Sequence, residues 1–267
     1  MLQQVTDFHA EGAELRELLL TLSDSDWERK TLFKDWTIND VVLHLHSGDL
    51  NAAASVRDPA EYEALRRDIQ EARQGGLSLI AETRQRYPGL RGKALLARWW
   101  QQLEALCGLL ADKDPKERLS WAGPTMAVKM FTTARQMETW AHGQEIYDVM
   151  GRERAFHDRL RNIAEIGVRT FGWTFANRKQ QPPGAVPYVR LKAPSGAIWE
   201  WNAPSTDSVV EGDGVEFCQV VTQTRSVGDT SLRVVGDVAR QWMALAQCFA
   251  GPPNDPPAAG ARFRAVK

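Results

Sequence analysis

The residues of this chain suited to metal binding or proton transfer include five histidines, three cysteines and their acidic neighbours, in a sequence of 267 residues. His44 and His46 lie in WTINDVVLHLH, and His142 lies in RQMETWAHGQEI, four residues after Glu138. On a helix, residues i and i+4 share a face, so Glu138 and His142 can ligate one metal. A third ligand from another helix completes a set of two imidazoles and one carboxylate, and three protein ligands leave a position open for catalysis. The spacing alone is common, since Asp40–His44 and Glu153–His157 repeat it. His9 and His157 read as residues on helix surfaces. Arg135, about one turn before Glu138, can bond that carboxylate or face solvent. Trp36 and Trp140 flank the candidate ligands and read as packing residues able to narrow a pocket. Cys107, Cys218 and Cys248 are too widely spaced for a zinc knuckle or a CxxC pair. An odd, sparse set of cysteines suits a reducing cytoplasm.

These residues need helices to hold them, and the first half of the chain supplies the pattern. Val5, Phe8, Leu15, Leu18, Leu19 and Leu22 recur at helical spacing. Thr37 and Asp40 form an N-cap signal ahead of Val41, Val42 and Leu45. Residues 60–85 read as a charged helix weakened at Gly75-Gly76, and residues 93–111 place Leu96, Trp99, Trp100, Leu103, Leu106 and Leu110 on one stripe. Pro124 is expected to open a further helix running to Met150. Four main helices predict a bundle.

After Gly151 the pattern changes. Residues 155–176 read as one helix, QQPPGAVP as a linker, and YVRLK and AIWEW as a hairpin-like pair. SVVEG and TSLRVVG read as strands, and residues 215–224 and 238–250 as helices. The expected organisation is a metal-binding helical bundle over 1–152, a connecting helix and linker over 153–184, a small α+β domain with an antiparallel sheet over 185–252, and a loose tail over 253–267.

DWERKTLFKDWTINDVVLHL resembles the opening of the DinB-like, mycothiol-dependent maleylpyruvate isomerase family, in which a histidine follows a tryptophan by eight residues, as His44 follows Trp36. ARQMETWAHGQEI resembles the family's second block, and residues 188–250 its sterol-carrier-like α+β domain. The resemblance implies a four-helix bundle holding a divalent metal through His44, Glu138 and His142. Zinc is the typical ion, with nickel, iron or manganese also suited to such ligands. It further implies a low-molecular-weight thiol, mycothiol or similar, as cosubstrate, and an arginine at Arg225 able to meet an anionic substrate group. Helix angles counted from Ile38, Val41, Val42 and Leu45 instead bring His46 closer to the apolar centre than His44.

The expected function is therefore transfer of an activated thiol to a small electrophile, or thiol-assisted isomerisation. A metal-dependent hydrolase is the alternative, with Glu145 or Asp148 as a spare acid or base, and so is a non-catalytic small-ligand-binding protein. The second domain is expected to border the mouth of the pocket. A net charge of −1 excludes gripping nucleic acid by bulk charge, and no run of about 20 apolar residues predicts a membrane span. The N-terminus has no signal-peptide layout, so a cytoplasmic protein is expected, and an exposed bundle face can support a homodimer.

Overall fold

The computed structural model describes residues 1–123 and 125–262, which divide into two compact units, Met1–Val149 and Met150 onward. The first unit is built on α1 (Gln3–Leu20), α2 (Ile38–Arg57), α3 (Pro59–Gln74), α4 (Leu79–Arg86), α5 (Gly92–Leu110) and α6 (Val128–Met150). The four long helices α1, α2, α5 and α6 carry the bundle core. Phe8, Leu15, Leu19, Ile38, Val41, Leu45, Trp99, Leu103, Phe131 and Ile146 are fully buried in it. The apolar stripes recur every three to four residues, which is the period that lets helices bury one face.

The charged segment breaks where expected. α3 is capped by the Asp58 carboxylate, which accepts from the Ala60 amide at 2.8 Å, and it ends at Gly75. Gly76 then takes a φ of +94°, a left-handed conformation that glycine adopts without a side-chain clash. Only Tyr62 of α3 is buried, so this helix rides on the bundle surface.

The start of the last bundle helix differs from the expectation. Pro124 lies outside the described residues, and α6 begins at Val128. Before it, β1 (Arg118–Leu119) and β2 (Met126–Ala127) pair antiparallel. The Val128 amide donates to the Glu117 carbonyl at 2.8 Å, so this short ladder runs directly into the first turn of α6.

The second unit comprises α7 (Arg161–Arg169), α8 (Phe171–Ala176), β3 (Tyr188–Lys192), β4 (Ile198–Trp201), β5 (Val209–Asp213), α9 (Gly214–Val221), β6 (Arg233–Val235) and α10 (Asp237–Leu245). The sheet order is β4-β3-β5-β6. Two of its pairings are antiparallel, as expected, but the central pair β3–β5 is parallel, with Val189 opposite Val210. A parallel neighbour needs a long connection, and β4 with its flanking loops supplies it. Val189, Leu191 and Val210 point to the buried face, where α9 covers β3 and β5. Phe171 and Phe217 pack edge-on against Trp242 beneath this layer.

Four further expectations are corrected in this unit. The helix read over 238–250 ends at Leu245, where Ala246 turns extended at ψ 131°. The helix read over 155–176 starts only at Arg161, after an extended segment through His157, and is interrupted at Thr170, whose hydroxyl donates to the Ile166 and Gly167 carbonyls and ends the first piece. The helix read over 215–224 stops at Val221, because the Thr222 hydroxyl turns back to the Cys218 carbonyl and Gln223 takes a φ of +60°. The tail from Gly251 has no helix or strand, yet its described part is tied down. Asn254 accepts from Gln223 and Arg178 and donates to Gln247, Arg178 pairs with Asp255, and the Gly260 amide donates to Asp229. Residues 263–267 of the expected tail lie outside the described residues. Among the described residues, no helix is long and apolar enough to cross a membrane.

Candidate metal centre

The position of His44 is set by the cap of α2. Thr37 accepts from the Asp40 amide through its hydroxyl at 3.2 Å, while the Asp40 carboxylate accepts from the Thr37 amide at 2.8 Å. This reciprocal pair satisfies donors that the first helical turn leaves free. Arg84 of α4 then grips Asp40 with two nitrogens, at 2.7 and 2.6 Å. Burial alone raises the Asp40 carboxyl, but the bonds from Arg84 and Thr37 outweigh it and hold the group below the usual carboxylate range. The helix thus starts at a fixed residue, and His44 follows on the face turned toward α6.

On α6, Glu138 and His142 lie one turn apart. The Glu138 carboxylate oxygen Oε2 sits 3.4 Å from His44 Nε2 and 3.5 Å from His142 Nε2. The two imidazole rings are 4.7 Å apart between centroids and nearly perpendicular. One donor atom from each of the three residues falls within 4.8 Å of the others. An ion held tetrahedrally at 2.0–2.2 Å by nitrogen and oxygen requires its donors about 3.3–3.6 Å apart. The two separations at Glu138 meet that requirement. The trio is half-buried, so the site is neither sealed in the core nor open on the surface.

The electrostatics prepare the same arrangement. Burial pushes the Glu138 carboxyl up, but hydrogen bonds with His142 and His44 and their charge hold it well below the usual carboxylate range. Burial pulls His142 below its ordinary value despite the bond to Glu138, which favours the neutral imidazole. An ionised carboxylate and a neutral imidazole are the forms that bind a cation.

A short loop supplies one wall. Phe33–Trp36 forms a tight turn in which the Trp36 amide donates to the Phe33 carbonyl at 2.9 Å, with Lys34 and Asp35 at φ +53° and +55°. Two successive left-handed residues define the mirror-image turn typical of hairpins. The turn lays the Trp36 ring parallel to His142, 5.9 Å away, and tilted against His44 at 5.3 Å. Phe33 meets His142 edge-on at 5.2 Å. Sequence reasoning left Phe33 out, because its only signal was its place three residues before Trp36.

The other candidates fall elsewhere. His46 is buried on another face of α2, with its ring against Tyr87. Arg135 neither bonds Glu138 nor faces solvent. It is buried and its Nε donates to Asp49 at 3.0 Å, because the fully buried Asp49 carboxylate needs a counter-charge. His9 is half-buried against Trp100 rather than on the helix surface. His157 stands in an extended segment, so Glu153 and His157 do not share a helical face. Trp140 packs in the core, and Glu145 and Asp148 are buried outside the trio. Arg225 lies in the turn after α9, its amide donating to the Gln219 carbonyl and its guanidinium to the Thr224 carbonyl. All three cysteines are buried, and burial pushes Cys107 up to about 12.

The family model described as the mycothiol maleylpyruvate isomerase N-terminal domain matches residues 8–147, which hold every member of the trio. The chain belongs to this family. Two relatives from Mycobacterium tuberculosis, from strains CDC 1551 / Oshkosh and ATCC 25618 / H37Rv and both named as uncharacterized proteins, are each 33% identical over 94% of this chain and 96% of their own length. The crystal structure of a mycothiol-dependent maleylpyruvate isomerase superposes with a TM-score of 0.51 at 15% identity, covering 82% of this chain and 87% of that one. A mutant of that enzyme matches at the same TM-score and 16% identity. At that identity the likeness is one of fold.

Proposed function

We propose that this protein is a divalent-metal-dependent enzyme that activates a low-molecular-weight thiol, mycothiol or a similar one, for S-transfer to a small electrophile or for its isomerisation. The observation that carries this reading is the convergence of His44, Glu138 and His142, with the two separations at Glu138 at tetrahedral spacing, in a family whose solved member is named for a mycothiol-dependent isomerisation. A bound divalent ion, with zinc typical of the family and nickel, iron or manganese suited to the same donors, would supply a Lewis acid that lowers the pKa of a thiol placed beside it. His44, Glu138 and His142 would hold that ion, and three protein ligands would leave room for the thiol. Glu138 would contribute one negative charge against the two positive charges of the ion, so an anionic sulfur remains electrostatically favoured. Phe33 and Trp36 wall the imidazoles and lower the local polarity, which strengthens the attraction between ion and anion.

For an isomerisation, the thiolate adds to one carbon of a conjugated double bond, the remaining single bond rotates, and expulsion of the same thiolate restores the double bond. The thiol is regenerated and no oxidant is consumed. The burial of Cys107, Cys218 and Cys248 is compatible with a thiol supplied from outside the chain. The reading places the enzyme in the cytoplasm, where such thiols are kept reduced. Arg225 is proposed as a partner for an anionic group of the substrate on the family resemblance, as an aid to binding rather than to chemistry.

The test is elemental analysis of protein purified without added metal, together with turnover of maleylpyruvate in the presence and absence of mycothiol. The expected result is about one divalent ion per chain and thiol-dependent turnover in the wild type, with both lost in His142→Ala. Arg225→Ala is expected to keep its metal and raise KM. Metal-free wild-type protein, or turnover indifferent to thiol, overturns the proposal, and hydrolysis without thiol identifies the hydrolase alternative instead.

A further inference from the structure

Beneath the trio lies an ion pair that its own burial makes expensive. The Arg135 and Asp49 side chains are 3% and 0% exposed, and Arg135 Nε donates to Asp49 Oδ1 at 3.0 Å. Replacing a buried pair of this kind by apolar groups is often neutral or stabilising, so stability is a poor reason for its presence. Directional bonds can instead fix register, because they tolerate no sliding where apolar contacts do.

The location supports that role. Asp49 is five residues after His44 on α2, and Arg135 is three residues before Glu138 on α6. Arg135 Nη2 also approaches the Leu45 carbonyl at 3.5 Å, which is one residue from His44. The second Asp49 oxygen accepts from Trp99 Nε1 at 3.1 Å, and the Asp49 carbonyl from Gln102 at 3.4 Å, both on α5. Three helices are therefore tied at one residue. A slip of one helical turn between α2 and α6 would move His44 about 5.4 Å along its axis relative to Glu138 and dissolve the trio.

Gly48 gives the guanidinium its seat. A Cβ at this position would lie 2.8 and 2.9 Å from the two terminal nitrogens of Arg135 and 3.0 Å from Cζ. A free arginine would move aside at little cost, but this one is held by Asp49. On α2, His44, Gly48 and Asp49 thus form one unit, and on α6 Arg135, Glu138 and His142 form its counterpart.

We infer that the Arg135–Asp49 pair, seated on Gly48, is a positioning device that sets the affinity of the His44–Glu138–His142 centre for its metal. The inference rests on the metal-binding reading of that centre. It is tested with cobalt(II) as the probe, on the full chain stripped of metal, by competitive titration and by the visible absorption of the bound ion. Gly48→Ala, Arg135→Lys and the charge-free double variant Arg135→Met/Asp49→Leu are compared with wild type, with circular dichroism and Tm recorded for each. The control is Leu15→Ala, a truncation in the core of α1.

Each of the three variants is expected to retain its helical content and to bind cobalt about 10–100-fold more weakly, the usual cost of disturbing the groups that orient metal ligands. Arg135→Lys is expected not to rescue, since one ammonium cannot replace the planar fork. Leu15→Ala is expected to lower Tm and leave affinity unchanged. A folded double variant, or a folded Gly48→Ala, that binds cobalt as wild type does overturns the inference. So does a Leu15→Ala protein whose affinity falls as far as theirs. Wild-type protein that binds no cobalt overturns the metal reading itself, and the positioning role with it.

Discussion

His44 and His46 stand two residues apart on the same helix, about 200° apart around its axis, in opposite surroundings. His44 is half-buried and meets a carboxylate 3.4 Å away, a second imidazole and the ring of Trp36. His46 is more deeply buried, packs its ring against Tyr87, and its Nδ1 has no hydrogen-bond partner among the described residues. Burial and the nearby Arg98 guanidinium push His46 down to about 4. Apolar periodicity placed His46 nearer the core, and in burial it is. Depth and ligand role are separate properties: a metal-binding imidazole needs a counter-charge and a converging partner, and those lie on the less buried face.

That contrast can be broken most sharply by exchanging the two roles. His44→Ala is expected to lower metal affinity by more than about 100-fold, beyond the range seen for groups outside the ligand set. His46→Phe, which keeps a ring against Tyr87, is expected to bind metal as wild type does. Chelator competition on both proteins decides the matter, and the reverse pattern would make His46 the ligand.

The next effect is on stability in acid. His46 has a folded pKa of about 4 against an ordinary value of 6.5. Between these values the unfolded chain binds a proton at this residue and the folded chain does not. Its contribution is therefore complete above pH 6.5 and is lost as pH falls toward 4, by about 3 kcal/mol in all. Denaturant unfolding of metal-free protein across this window is expected to show a shallower pH dependence in His46→Phe. An unchanged slope would mean that His46 is solvated.

The smallest effect concerns the start of the helix that both histidines share. Asp40→Ala removes the reciprocal cap and the Arg84 grip, and is expected to cost about 1–2 kcal/mol at neutral pH. The Asp40 carboxyl is held below its ordinary value, so its contribution is present above the unfolded pKa and disappears as pH falls through the folded one. The stability gap between variant and wild type should accordingly close in strong acid. A gap that persists there would assign the loss to packing rather than to charge.

Much of this architecture is legible in the sequence because it rests on local rules. The Thr37–Asp40 cap, the break at Gly75-Gly76 and the apolar stripe of α5 each follow from neighbours in the chain, and all three appear where expected. The Glu138–His142 pair was legible as a helical spacing, but its distinction from Asp40–His44 and Glu153–His157 was not. Asp40 is spent on the cap and on Arg84, and His157 is not helical, facts that depend on distant groups. The Arg135–Asp49 pair joins residues 86 positions apart and carries no local pattern. The parallel pairing of β3 with β5 was hidden for the same reason, since strand alternation reports which face is buried and says nothing of the neighbour's direction.

The turn at Phe33–Trp36 separates two kinds of inheritance in this molecule. The three donor atoms of the candidate centre come from the long helices α2 and α6, where one change disturbs a whole face of the bundle. The rings that border those atoms come from a four-residue excursion whose bend is made by its own backbone. An exchange of Phe33 for a smaller or more polar side chain would therefore change the border of the candidate centre while leaving its three donor atoms in place.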